Sequence, residues 1–77
     1  MNQAERRAIM ERIYALLTER GYRPMGQLIG YILTGDPTYI TNHGGARKLA
    51  ADVDRYELLQ DMLQAYLLAG ETVERSA

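Results

Sequence analysis

The sequence predicts an all-α fold, a small helical bundle of three to five helices. Three observations carry that expectation. Apolar residues recur at spacings of three and four over most of the chain, the period of one helix face. No stretch alternates apolar and polar residues as a strand would, and no internal repeat is present. Most of the seven glycines and both prolines fall where one periodic stretch gives way to the next, and there they read as helix ends. A chain of 77 residues is one domain, expected over 1–70, and 71–77 has too little to bury to be more than a mobile tail.

The first helix is expected from Asn2 to Arg20. Ile9, Ile13, Leu16 and Leu17 form its apolar face, and Glu5, Arg6, Arg12, Glu19 and Arg20 take the other faces. Asn2 is a suitable N-cap, and Gly21 is placed to end the helix in a left-handed conformation. Pro24 then fits the first position of a second helix, where a missing N–H does no harm. Met25, Leu28, Ile29, Ile32 and Leu33 make its stripe, and Gly35 closes it. Gly26 and Gly30 lie four apart on that helix, a pattern that favours close approach by the backbone of a neighbouring helix. Asp36-Pro37 reads as a cap followed by one short turn to Ile40. Residues 41–45 read as a loop with His43 exposed, and Ala46 to Ala51 as a short helix anchored by Leu49. Asp54-Arg55-Tyr56-Glu57 matches a capping box at the start of the last helix. Leu58, Leu59, Met62, Leu63, Tyr66 and Leu67 give that helix a broad apolar face, and Gly70 is expected to end it.

Composition bounds the function. No cysteine is present, so disulfides and thiolate metal sites are excluded, and the single histidine has no carboxylates grouped around it in sequence. No cofactor and no metal are expected. The net charge of −1 gives no case for nucleic acid as a default partner. Charge is unevenly placed, however: residues 1–48 carry seven Lys/Arg against four Asp/Glu, and residues 49–77 carry two against six. No apolar run approaches the ~18 residues of a membrane span. The N-terminus lacks a signal-peptide core, so a cytoplasmic location is expected.

Candidate chemistry is sparse. Asp52 with Asp54, and Asp36 with His43, are the only acid–base pairings in view, and both read as caps and turn residues. Gly26 and Gly30 are not a phosphate loop, because the lysine and the strand-to-helix context are missing. Gly44-Gly45 ahead of Arg47 and Lys48 reads as a plain helix start, with an anion site as the sharper alternative. The six tyrosines replace Phe and Trp entirely and read as core-edge residues, with a stacking platform as their alternative. No enzyme is expected.

One stretch, GYRPMGQLIGYILTGDPTYI, is similar to the IreB family of small bacterial proteins. The resemblance rests on Gly21, Tyr22, Pro24, Gln27, Gly30, Tyr31, Gly35, Asp36, Pro37 and Tyr39, continues through Ala46-Arg47, Arg55 and Glu57, and ends at Tyr66-Leu67. It implies an all-helical, homodimeric regulatory phosphoprotein of low-GC Gram-positive bacteria. The family is linked to a membrane Ser/Thr kinase with PASTA domains and its phosphatase, in cell-envelope stress and resistance to cell-wall antibiotics. The family's phosphorylated threonines lie ahead of the first helix. Here no Ser or Thr precedes Thr18, so those sites are not carried over, and Thr41, Thr72 and Ser76 are the accessible candidates. The competing reading is a small helical nucleic-acid binder with Arg20, Arg23, Arg47 and Lys48 on phosphates.

A homodimer is also expected from the residues themselves. So short a chain buries only ~60% of its unfolded surface, yet three helices carry wide apolar faces. An intertwined or face-to-face pairing through Ile29, Tyr31, Ile32, Leu59, Leu63 and Tyr66 would cover them.

Overall fold

Four helices, with no strand among the described residues, make up the computed structural model, which describes the backbone of residues 1–76 and the side chains of residues 1–68. They are α1 (Gln3–Glu19), α2 (Pro24–Thr34), α3 (Ala46–Ala51) and α4 (Arg55–Ser76). Two single 3₁₀ turns, Pro37–Tyr39 and His43–Gly45, lie between α2 and α3.

Local chemistry sets nearly every boundary. Asn2 and Glu5 form a reciprocal capping box at the start of α1, the Asn2 side chain accepting from Glu5 N at 2.8 Å. At the other end Gly21 adopts φ 77°. Its N–H donates to Thr18 O and that of Tyr22 donates to Leu17 O, the paired bonds of a Schellman stop. Pro24 opens α2, and Gly35, also left-handed at φ 73°, closes it with a bond to Tyr31 O. Asp36 accepts from Thr38 N and caps the first 3₁₀ turn. Asp54 accepts from Glu57 N at 3.0 Å and starts α4.

The core is built around α1. Ile13, Leu16 and Leu17 point inward to meet Leu28 of α2, Ile40 of the linker, and Ala46 and Ala50 of α3. Ile13, Leu17 and Ile40 are each 0% exposed, and such side chains stabilise a fold by ~1.5–3 kcal/mol apiece. The two alanines, four apart on one face, let the short α3 lie close to α1. Leu49, the expected anchor of α3, is only half-buried at the edge of this cluster.

Four sequence expectations change. Arg6 is not on a solvent face of α1 but buried at its inner edge. Gly26 meets open space, and Gly30 accommodates a side chain rather than a helix backbone: a Cβ there would fall within 3.0 Å of three ring carbons of Tyr39. Residues 43–45 form a turn rather than a plain loop, and His43 is half-buried. Gly70 does not end α4, which continues to Ser76; one glycine costs a helix only ~1 kcal/mol, too little to stop it. Residues 71–76, expected as a tail, carry the end of α4 in their backbone, and their side chains and Ala77 lie outside the described residues.

Candidate functional site

The polar centre of the molecule is Arg6. Its guanidinium forks onto Asp61 of α4, with Nε to Oδ2 at 2.5 Å and Nη2 to Oδ1 at 3.0 Å. Nη1 donates to Glu57 Oε2 and to the Met1 carbonyl, both at 2.7 Å. The hydrogen bonds from Arg6 hold the Asp61 carboxyl below its usual value, against the opposing effect of partial burial. Arg6 is correspondingly raised, chiefly by its bond to Asp61. With its donors directed to these partners, the cluster is a brace between the first and last helices. Its partners lie 51 and 55 residues away in sequence, so no local pattern reveals it.

Most of the residues that carry the family resemblance form a second brace. Gly30 receives the Tyr39 ring, and Gly35 receives the Arg55 guanidinium, whose Nη1 donates to Ile32 O at 2.8 Å. Tyr31 OH donates to Ala50 O at 3.3 Å, and Arg47 Nε donates to Ile40 O at 3.0 Å. The bonds from Thr38 N and Thr38 Oγ1 hold Asp36 below the usual carboxylate range. Gly21, Pro24 and Pro37 fix helix and turn ends. Tyr22 is exposed, and Gln27 is half-buried with its Oε1 lacking a hydrogen-bond partner among the described residues. The pattern therefore specifies how the linker folds back on α2 and α3.

No catalytic constellation appears among the described residues. No group of three His, Asp or Glu side chains could hold a metal ion there, and Asp36 and Asp54 serve as caps. His43 Nε2 is buried without a hydrogen-bond partner among the described residues, 3.6 Å from Glu19 Oε1. Of the four basic residues considered for phosphate contact, Arg47 is engaged by the Ile40 carbonyl, while Arg20, Arg23 and Lys48 are exposed. No helix among the described residues is long and apolar enough to cross a membrane.

What the surface offers is apolar. On α2, Met25, Ile29 and Leu33 form an exposed row, Leu33 at 76%. On α4 every described residue from Met62 onward is exposed, Tyr66 at 80%. Of the six expected interface residues, Ile29, Leu59, Leu63 and Tyr66 lie on these surfaces, whereas Tyr31 and Ile32 are half-buried against the body. A groove of about 550 Å³ opens between α1 and α4, walled by Met10, Tyr14, Leu58, Met62 and Ala65 and floored by Leu28. Of the phosphorylation candidates, Thr41 is half-buried between the two 3₁₀ turns, and the side chains of Thr72 and Ser76 lie outside the described residues.

The helical architecture and the linker brace agree with one comparison. The family model for IreB regulatory phosphoprotein matches residues 1–68, most of the chain and all four helix starts, and this chain belongs to that family.

Proposed function

We propose that the chain is a non-enzymatic regulatory homodimer. It acts with a membrane PASTA-type Ser/Thr kinase and its phosphatase, in cell-envelope stress and resistance to cell-wall antibiotics. Membership of a regulatory phosphoprotein family supports the regulatory role. The observation that carries the dimer is the exposed apolar surface of α2 and α4, too extensive for a chain of this size to leave in water. The interface draws on Ile29, Leu59, Leu63 and Tyr66, with Tyr31 and Ile32 behind them. Thr41, Thr72 and Ser76 are the sites proposed for the kinase. The action is placed in the cytoplasm, where such a kinase would present its catalytic domain.

Two measurements test this reading. Light scattering after size exclusion should give twice the chain mass, and Leu63→Glu should lower it. Incubation with a PASTA-type kinase, followed by phosphopeptide mapping, should modify the loop or tail candidates. Modification confined to Thr18, whose hydroxyl already donates to Tyr14 O within α1, would overturn the site assignment.

A further inference from the structure

Four threonines have described side chains, and they differ in how far an enzyme could reach them. Thr18 and Thr34 lie inside α1 and α2, their hydroxyls donating to Tyr14 O at 2.8 Å and to Gly30 O at 2.7 Å. Thr41 is half-buried. Of the four, only Thr38 is both exposed and outside an α-helix, on the 3₁₀ turn Pro37–Tyr39. Its hydroxyl donates to the exposed Asp36 carboxylate at 2.7 Å, a bond that water can replace. The turn is closed by backbone bonds of 3.2 Å from Tyr39 N to Asp36 O and 3.1 Å from Ile40 N to Pro37 O. A kinase takes its substrate extended. Opening this turn breaks two long bonds and one cap, whereas opening α1 or α2 breaks a ladder. The backbone of α4 also runs helical through positions 72 and 76.

We infer that Thr38 is a phosphorylation site, and that the phosphate acts by ejecting Asp36 from the turn it caps. The inference rests on the kinase reading proposed above and adds a site and its consequence. In the transfer, Thr38 Oγ1 forms a bond to the γ-phosphorus of Mg-ATP, and the bond from that phosphorus to the β,γ-bridging oxygen breaks. ADP leaves, and the hydroxyl proton passes to the catalytic carboxylate of the kinase.

The consequence follows from what Asp36 does in the unmodified turn. Its Oδ1 accepts from Thr38 N at 2.9 Å and from Thr38 Oγ1. Those bonds, the backbone one foremost, hold its carboxyl below the usual range, so it is charged at neutral pH. Phosphorylation removes the hydroxyl proton and sets a charge of about −1.5 to −2 beside that carboxylate. Asp36 Oδ1 then faces an ester oxygen and a like charge, and its cap on Thr38 N is lost with it. The next two residues carry the effect inward. Tyr39 lies against Gly30 of α2, and Ile40 is fully buried in the core. Loosening the turn frees the Tyr39 ring from α2.

Incubation of the full chain with a PASTA-type kinase and Mg-ATP, followed by phosphopeptide mapping, should place phosphate on Thr38, and Thr38→Ala should lose that label. Label on Thr41, Thr72 or Ser76 with Thr38 unlabelled would overturn the site and leave the kinase reading standing. No label anywhere would overturn both. The consequence is read without a kinase, on a chain made by total synthesis with phosphothreonine at position 38. Its melting temperature should fall by roughly 4–8 °C, the loss expected of one cap in a domain of this size. The NMR contact between the Tyr39 ring and Gly30 should weaken with it. Arg47 is the cation whose charge acts on Asp36, and its Nε donates to Ile40 O. A melting temperature left unchanged, or raised by an Arg47–phosphate pair, would overturn the ejection of Asp36.

Discussion

Replacing Gly30 with alanine sets two known effects against each other at one position. Alanine improves a helix interior by ~1 kcal/mol over glycine. At Gly30, however, the new methyl group falls within 3.0 Å of Tyr39 Cγ, Cδ1 and Cε1. The clash reaches the base of the ring, so a small swing of the ring tip does not relieve it. Tyr39 precedes Ile40, a fully buried core residue, and moving the tyrosine pulls on that anchor. Overpacking of this kind costs ~1–3 kcal/mol, so Gly30→Ala should lose between about 0 and 2 kcal/mol net. Gly26 is the internal control, on the same helix with open space around its Cα, and Gly26→Ala should gain about 1 kcal/mol. Thermal unfolding followed by circular dichroism reads the gap. At ~4–8 °C per kcal/mol for a domain of this size, the two variants should differ by at least about 4 °C. Tyr39→Ala in the Gly30→Ala background should remove most of the penalty. A Gly30→Ala protein as stable as Gly26→Ala, or a penalty that survives loss of the ring, would refute the reasoning.

Further outcomes follow from the two braces and the core. Ile40→Ala leaves a cavity among Ile13, Leu17 and Ala46 and should cost ~2–5 kcal/mol by denaturant titration. Tyr31→Phe removes the bond to Ala50 O and should cost ~0.5–1.5 kcal/mol, read the same way. The Asp61 carboxyl is depressed in the folded protein, so the stability it contributes is complete above about pH 4, the unfolded value, and is lost as pH falls through the folded one. Melting temperature should therefore fall more steeply with acid for the unmodified chain than for Asp61→Asn. Arg6→Ala should lower the melting temperature more than Arg7→Ala, because Arg7 is exposed and its only ion pair among the described residues is the 3.9 Å contact with Glu11.

Local signals were legible in the sequence because they act over a few residues. Asn2, Gly21, Gly35 and Asp54 each end or start a helix through bonds to near neighbours, Pro24 starts one through its fixed φ, and α2 and α3 run between the residues expected. Long-range partners left no such trace. Arg6 looks like any surface arginine until α4 arrives beside it. Ile40 stands alone between polar turns, with no periodicity to mark it as a core residue. The apolar stripe of α2 was legible, but not which edge of it the body covers: Leu28 goes inside while Ile29 and Leu33 stay out. Gly26 and Gly30 are identical in sequence and spacing, and only the folded linker distinguishes them. Leu59, Leu63 and Tyr66 stood out as apolar residues beyond what one short chain can bury, and all three are exposed.

The Arg6 brace also bears on synthesis. The first helix carries the arginine, and its fork closes only on a carboxylate 55 residues downstream. At ~5–20 residues per second, Arg6 waits roughly 3–11 seconds for Asp61 to be added, and longer for it to clear the ribosome. Until then the arginine stays hydrated, and α1 lacks its tie to α4. A nascent chain halted before Asp61 should thus be open to protease along its first helix, and release of a few more residues past the exit tunnel should close it.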